Sequence, residues 1–165
     1  MLTFSAIVIS SDLRVVSEVK VDFDADFGQK YGISKGVHVN EAEAEVYAPV
    51  EMWLEALNLV LDRLKETVPL EKIKGISGSC QQHGSVYWSR EAETALSGLE
   101  EDKTLLEQLK TAFSRPWAPN WQDHSTQEEC NQFDVKFGSP GKLAEVTGSS
   151  AHHVRTQPRR CLGQD

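Results

Sequence analysis

Residues 73–88 read IKGISGSCQQHGSVYW, an apolar run that ends in polar residues between glycines and then resumes as a second apolar run. The pattern predicts strands over Ile73–Ser79 and Ser85–Trp88, and the nearly continuous apolar character of the first predicts a central place in a sheet. The loop between them would lie at a sheet edge, where polar side chains can meet a small ligand. Gln82 and His83 are therefore candidate ligand-binding residues, while an ordinary polar loop would explain the same residues.

A hairpin is predicted before this region. Ala6–Ile9 is short and rich in branched residues, Ser10–Asp12 supplies turn chemistry, and Val15–Phe23 alternates apolar with polar residues. These features indicate two antiparallel strands with one solvated face. The glycines of Phe27–Val39 predict a long irregular connection, in which Val37–Val39 could add a short edge strand.

An amphipathic helix is predicted after Pro49, because apolar residues then recur at spacings of three and four until a second proline, Pro69, ends the pattern. The apolar residues are Met52, Trp53, Ala56, Leu57, Val60, Leu61 and Leu64. Such a stripe is typical of a core face, and the alternative is a docking face for a partner.

Shorter helices are predicted further along the chain. Leu105–Phe113 and Leu143–Val146 carry apolar residues at helical spacing, and Ser125–Phe133 opens with capping residues and early acidic residues. The two prolines of Ser114–Asn120 predict a loop. Hairpin strands followed by alternating strands and helices indicate an α/β or mixed domain, with helices packed on a sheet.

Composition limits the class of protein. The chain has 165 residues, the size of one domain, with 39% hydrophobic and 25% charged residues, which is typical of a soluble globular protein. Its net charge of −8 gives no electrostatic reason to bind nucleic acid or an anionic membrane. Cys80, Cys130 and Cys161 have neither zinc-site nor disulfide-framework spacing, which favours a reducing compartment. The first residues resemble neither a signal peptide nor a membrane span, so we expect a cytoplasmic protein.

A second candidate site lies at residues 117–125, WAPNWQDHS. Aromatic faces beside a carboxylate suit a sugar, whose C–H faces pack on rings while its hydroxyls donate to oxygen. Asp123 is the candidate residue, and the alternative is a core tryptophan with an aspartate that caps a helix. Neighbours such as Asp123 and His124 do not face one another, and His152–His153 lacks a third ligand, so neither an acid–base pair nor a metal site is predicted.

Several motifs resemble one family. The Gln-Gln-His-Gly loop at residues 81–84 and the Trp-Gln-Asp motif at residues 121–123 are similar to motifs of the FGGY carbohydrate kinases. The Ser-Thr-x-x-x-Cys pattern at residues 125–130 and the stretches 15–39 and 47–57 resemble D-xylulose kinases of eukaryotes, especially fungi.

The resemblance implies an ATP-dependent phosphotransferase of the ribonuclease-H-like, actin-type fold, in which two lobes close over sugar and nucleotide. The implied reaction transfers the γ-phosphoryl group of ATP to the 5-hydroxyl of D-xylulose, with Mg²⁺ bridging the phosphates. His83 would hydrogen-bond a sugar hydroxyl, Gln82 would support the loop or the sugar, and Asp123 would orient hydroxyls. No catalytic residue is expected in this chain, because the general base of the family lies in the second lobe.

The chain departs from the family pattern at both ends. Residues 1–6 contain no phosphate-binding turn, and Val154 stands where the family has a sugar-contacting arginine. We therefore expect a partial first lobe with a mixed sheet flanked by helices at residues 1–153, a divergent tail at 154–165, and a truncated kinase that is inactive alone. The alternatives are a non-catalytic sugar-binding or interaction fragment, and a regulatory partner that docks through the Trp53 helix.

Overall fold

The computed structural model describes residues 2–80 and 84–152. The strands are β1 (Thr3–Ile9), β2 (Val15–Asp22), β3 (His38–Asn40), β4 (Glu45–Pro49) and β5 (Trp117–Pro119). The α-helices are α1 (Gly28–Tyr31), α2 (Val50–Lys65), α3 (Ala92–Ser97), α4 (Leu105–Leu109), α5 (Gln127–Phe137) and α6 (Pro140–Thr147). A mixed α/β fold is thus confirmed, with β1 and β2 in one sheet and β3, β4 and β5 in another, in that order.

The predicted hairpin is confirmed. Strands β1 and β2 are antiparallel, with Phe4 opposite Val21 and Ala6 opposite Val19. Val21 is fully buried, and the hairpin packs against α2. The alternation of side chains along each strand therefore puts one face of the hairpin into the core and leaves the other in solvent.

The predicted core face of α2 is confirmed for Met52, Ala56, Val60 and Leu64, while Trp53, Leu57 and Leu61 of the same stripe are half-buried. Its buried residues are Val50, Met52, Ala56, Val60 and Leu64, and the helix packs against the β1–β2 hairpin and α4. The helix ends at Lys65, before Pro69, because the Thr67 hydroxyl and the N–H groups of Thr67 and Val68 all donate to the Leu64 carbonyl oxygen at 3.0 Å. Backbone and side-chain donors thus share one carbonyl oxygen in the last turn of the helix, close to the predicted end near Pro69.

Hydrogen bonds to aspartate carboxylates order the region around Phe27–Val39, which the sequence predicts to be an irregular connection. Residues Phe23–Phe27 form a π-helical turn whose first N–H groups donate to the Asp22 carboxylate. The Asp24 carboxylate accepts the backbone N–H of Lys35 at 2.9 Å and of Gly36 at 2.7 Å. Gly36 has φ +77°, and a Cβ there would lie 2.8 Å from Leu2 Cδ1, so the position requires glycine.

The prediction of one strand before and one strand after residues 81–83 is wrong. Neither Ile73–Ser79 nor Ser85–Trp88 is a strand, and the Ile76 side chain is 92% exposed. A strand is stable only when its backbone is paired, and no strand among the described residues lies alongside Ile73–Ser79. Trp88 makes one isolated bridge to Phe113, with the two rings stacked at 4.8 Å.

The later helices differ from the prediction at their ends. Helix α4 begins at a complete capping box formed by Thr104 and Glu107, and stops at Leu109 instead of Phe113. Leu109 packs with Ala92 and Ala112 in a small buried cluster. The predicted 114–120 loop contains the short strand β5, and the predicted short helix near Leu143 is longer, because Pro140 starts α6.

Two compact units make up the described chain. One comprises residues 2–38, 48–80 and 86–118, and the other comprises residues 39–47, 84–85 and 119–152. The division into 1–153 and 154–165 stays a prediction, and residues from 153 onward lie outside the described part. Cys80 is exposed, whereas Cys130 is buried in the second unit. No helix within residues 2–80 or 84–152 combines the length and the apolar character needed to cross a membrane.

Candidate functional site

The candidate site is a turn at residues 119–125 in the second unit. Gln82 and His83, the other predicted sugar-binding residues, lie outside the described residues, so the structure gives the geometry of Asp123 only. That aspartate lies between β5, which ends at Pro119, and α5, which begins at Gln127.

Asp123 is deeply buried, with 2% of its surface exposed. One carboxylate oxygen accepts the backbone N–H of Val46, in β4, at 2.9 Å. The other accepts both the N–H of Ser125 at 3.2 Å and its hydroxyl at 2.6 Å. Three protein donors therefore compensate for the loss of water around this carboxylate, which joins the turn to β4.

The turn is shaped by two Asx turns in succession. The Asn120 side-chain oxygen accepts the N–H of Gln122 at 2.8 Å, and Asp123 accepts the N–H of Ser125 in the same way. Asn120 is itself buried and donates its backbone N–H to the Val46 carbonyl at 3.2 Å. Short side chains that bond two residues ahead thus fold this segment locally and fasten it to β4.

The anchored turn leaves its larger side chains in solvent. Trp121 is 51% exposed and Gln122 is also exposed, while Asn120 and Asp123 on either side of them are buried. An exposed aromatic face next to an exposed amide can pack on the C–H surface of a polar ligand and bond its hydroxyls. The buried residues would hold that surface in place.

Trp117, the other aromatic residue of the predicted site, belongs to the first unit. Its ring lies edge-on to the His38 imidazole, with the ring centres 5.3 Å apart. Trp117 is 44% exposed. The core-tryptophan alternative therefore fits neither Trp117 nor Trp121.

The alternative in which Asp123 caps a helix is wrong, because α5 has no side-chain cap and the donors to the Asp123 carboxylate, Val46 and Ser125, lie outside that helix. Ser125 was a predicted cap of the following helix, but its hydroxyl donates to Asp123 instead. Thr126 stands at the N-cap of α5 and is buried, and its side chain does not cap the helix. Sequence reasoning also missed Asn120, although an asparagine after Pro119 is a recognisable turn signal.

A separate group of charges in the first unit is structural. The Arg63 guanidinium donates to both oxygens of Asp26, at 2.7 and 3.0 Å, and Asp26 also accepts the Asp22 N–H. These hydrogen bonds, chiefly the one from Arg63, hold the pKa of Asp26 below its usual range. Among residues 2–80 and 84–152, no three His, Cys, Asp or Glu side chains are grouped so as to hold a metal ion.

The sequence of the chain is similar to those of several fungal proteins. No protein-family model matches the chain. A probable D-xylulose kinase A from Aspergillus clavatus is 55% identical over 154 residues, which is 93% of this chain and 27% of the relative. Proteins of the same name from Aspergillus flavus and Arthroderma otae are 54% and 55% identical over 155 and 149 residues. The chain spans about a quarter of the length of these relatives, and over nearly all of its own length it is closely similar to fungal proteins named probable D-xylulose kinase A.

Proposed function

We propose that this chain is a partial first lobe of a D-xylulose kinase of the FGGY carbohydrate kinase family, with a ribonuclease-H-like fold. The single observation that carries the proposal is the 55% identity over 93% of the chain to a relative of that name. The mixed α/β fold supports it. The length of the match, 27% of the relative, supports the view that the chain holds only part of the machinery.

The proposed reaction of the complete enzyme is transfer of the ATP γ-phosphoryl group to the 5-hydroxyl of D-xylulose. The new bond joins the sugar oxygen to phosphorus, the bond to the ADP oxygen breaks, and the hydroxyl proton passes to a general base outside this chain. ATP with Mg²⁺ would supply the phosphoryl group and neutralise its charge. The proposal assigns no described residue of this chain to either.

The sugar-binding roles belong to the 81–84 loop and to the Asp123 turn. In the proposal, His83 hydrogen-bonds a sugar hydroxyl and Gln82 supports the loop or the sugar. The Asp123 carboxylate already accepts three protein donors, which supports a role in which it orients the sugar through the turn that it holds. Trp121, exposed on that turn, offers the surface for the sugar's C–H face.

The isolated chain is proposed to be inactive. Phosphoryl transfer depends on positioning and on charge neutralisation around the phosphates, and residues 1–6 carry no turn of the kind that contacts them in the family. Inside a cell, the proposed place of the complete enzyme is the cytoplasm.

A chimera tests the proposal. The 154 matched residues of the Aspergillus clavatus protein are replaced by those of this chain, and D-xylulose phosphorylation is followed by coupled ADP release. We expect kcat/KM within roughly tenfold of the parent, because a sugar-binding part of the same enzyme should serve the same reaction. A chimera that folds with the parent's circular dichroism but turns over no D-xylulose would overturn the proposal.

A matched control separates binding from catalysis. The same chimera is assayed at equal concentration with D-ribulose, another ketose, and with glycerol, a polyol. Activity that follows the parent's preference would support a sugar site built from this chain. A folded chimera that binds D-xylulose in calorimetry without turnover would favour the non-catalytic sugar-binding alternative.

A further inference from the structure

The turn of the candidate site is hydrogen-bonded to β4 and to the loop before it, on both sides of its exposed residues 121–122. On one side, the Asn120 N–H donates to the Val46 carbonyl oxygen at 3.2 Å. On the other side, the His124 N–H donates to the carbonyl oxygen of Ala44, the residue before β4, at 2.9 Å. The backbone of residues 121–122 is therefore fixed at both ends.

The second of these hydrogen bonds depends on a strained residue. Ala44 has φ +53°, in the left-handed region that glycine adopts readily and that other residues adopt at a cost in free energy. It is the last residue of the loop that joins β3 to β4. In that loop the Glu43 N–H donates to the Asn40 carbonyl oxygen at 3.3 Å, and the Ala44 N–H donates to that of Glu41 at 3.4 Å. Because the backbone dihedral angles of Ala44 set the direction of its carbonyl group, the bond to His124 depends on this conformation.

The strain at Ala44 is not offset by packing of its side chain, because that side chain is exposed. Polar contacts hold the loop instead. The Asn40 amide donates to the Glu45 carboxylate at 3.2 Å, and the Ala44 carbonyl oxygen accepts the His124 N–H. Strained residues persist only where the surrounding structure fixes them, and they cluster at ligand-binding sites. The strained backbone here secures the attachment of the turn.

We propose that Ala44 is a positioning residue for the bound sugar. Its left-handed conformation fixes the His124 end of the turn, and the turn presents the Trp121 ring and the Gln122 amide to the sugar. If that end were released, the turn would stay attached through Asn120, but its exposed side chains would have to be ordered when the sugar binds, which weakens binding. The inference rests on the proposed function, in which D-xylulose is the sugar.

Hydrogen exchange on the chain itself tests the backbone link. Valine is strongly disfavoured at positive φ, so Ala44→Val should leave the left-handed region and make the His124 amide exchange at least about tenfold faster, measured relative to the Asn120 amide. Ala44→Gly keeps the conformation available and should keep the protection of His124. The exposed Leu13, at φ +63° in the β1–β2 turn, offers a matched control. Leu13→Val places valine at positive φ in the other unit and should not change the exchange of His124.

Kinetics of the chimera test the effect on the sugar. Ala44→Val should raise KM for D-xylulose at least about fivefold and leave KM for ATP within about twofold, because the turn is proposed to contact the sugar and not the nucleotide. A residue that served stability alone would instead lower the amount of folded enzyme, and with it the apparent kcat. Ala44→Gly should restore the KM for D-xylulose, and Leu13→Val should leave it unchanged.

Two results would overturn the role of Ala44: an unchanged His124 exchange rate in Ala44→Val, or an unchanged KM for D-xylulose with Ala44→Val in an active chimera. Equal rises in that KM for Ala44→Val and Leu13→Val would also overturn it, because strain in either unit would then suffice. A folded chimera that carries none of these substitutions and shows no turnover is a different result, since it would overturn the proposed function and this role together.

Discussion

At the scale of single residues, aspartate carboxylates hold turns in place by accepting hydrogen bonds from backbone N–H groups. Asp22 and Asp24 accept backbone N–H groups in the first unit, and Asp123 does so in the second. Each has a short side chain that reaches backbone donors which a helix or strand leaves unpaired. Replacing such a carboxylate should therefore affect stability before it affects any ligand.

Asp123→Asn should lower the free energy of unfolding by roughly 1–3 kcal/mol, because the new NH₂ group must face either the Val46 N–H or the Ser125 donors. Urea denaturation measures the change. Asp102→Asn, at an exposed position, is the control and should change stability by less than about 0.5 kcal/mol. An unfolding midpoint for Asp123→Asn equal to that of the wild type would show that the carboxylate does not hold the turn.

The pKa of Asp26 gives a pH-dependent prediction. Its folded-state pKa is depressed by Arg63, so its contribution to stability is present above the unfolded pKa of about 3.9 and is lost as pH falls through the lower folded pKa. Asp26→Asn should cost roughly 1 kcal/mol at neutral pH, and the difference from the wild type should shrink below about pH 4.

The control for this titration is Asp62→Asn, which breaks an exposed pair with Lys65. Its effect should be below about 1 kcal/mol at neutral pH, as for other surface pairs. A difference between wild type and Asp26→Asn that stays constant from neutral pH to pH 2 would contradict the role given to the Arg63 pair.

The same residues show what local sequence reveals. The pattern of residues 117–125 left a sugar site and a structural role open for Asp123, the family resemblance favoured the sugar site, and that role stays a prediction. The hydrogen-bond partner of Asp123, Val46, lies 77 positions away, and no local pattern indicates that contact. The roles of Gln82 and His83 stay predictions, since they lie outside the described residues.

At the scale of elements, α2 contributes buried core residues to the first unit. Met52 is fully buried on the core face of the helix, so Met52→Ala should lower the free energy of unfolding by roughly 2–5 kcal/mol. Lys65→Ala, at an exposed position of the same helix, is the control and should change it by less than about 0.5 kcal/mol. Equal unfolding midpoints for the two variants in urea would show that the α2 stripe is not a core face.

Elements that are determined by residues close in sequence could be predicted. Elements that depend on pairing with a distant segment could not. The β1–β2 hairpin and α2 follow from periodicity and from a nearby turn. The apolar content of Ile73–Ser79 suggested a buried strand, but a strand is defined by its neighbour, and the described chain supplies none. Helix α2 ends near Pro69, as predicted, whereas α4 ends at Leu109 instead of Phe113.

At the scale of the whole molecule, the chain holds 27% of the length of a D-xylulose kinase relative. The isolated chain should therefore release no ADP above background from ATP and D-xylulose in a coupled assay, and the parent Aspergillus clavatus protein is the positive control. Robust D-xylulose-dependent turnover by the chain alone would contradict the proposed division of the kinase machinery.

The central claim is that this chain carries the sugar-recognition part of a D-xylulose kinase, and His83 tests it most directly. In the chimera, His83→Ala should lower kcat/KM for D-xylulose by the equivalent of roughly 1–3 kcal/mol, the loss of one hydrogen bond to the sugar, with the melting temperature nearly unchanged. Val135→Ala, at an 80% exposed position of α5 outside the candidate site, is the control and should alter neither quantity. A melting temperature lowered by several degrees with unchanged kinetics would contradict the claim, because His83 would then stabilise the fold and not the bound sugar.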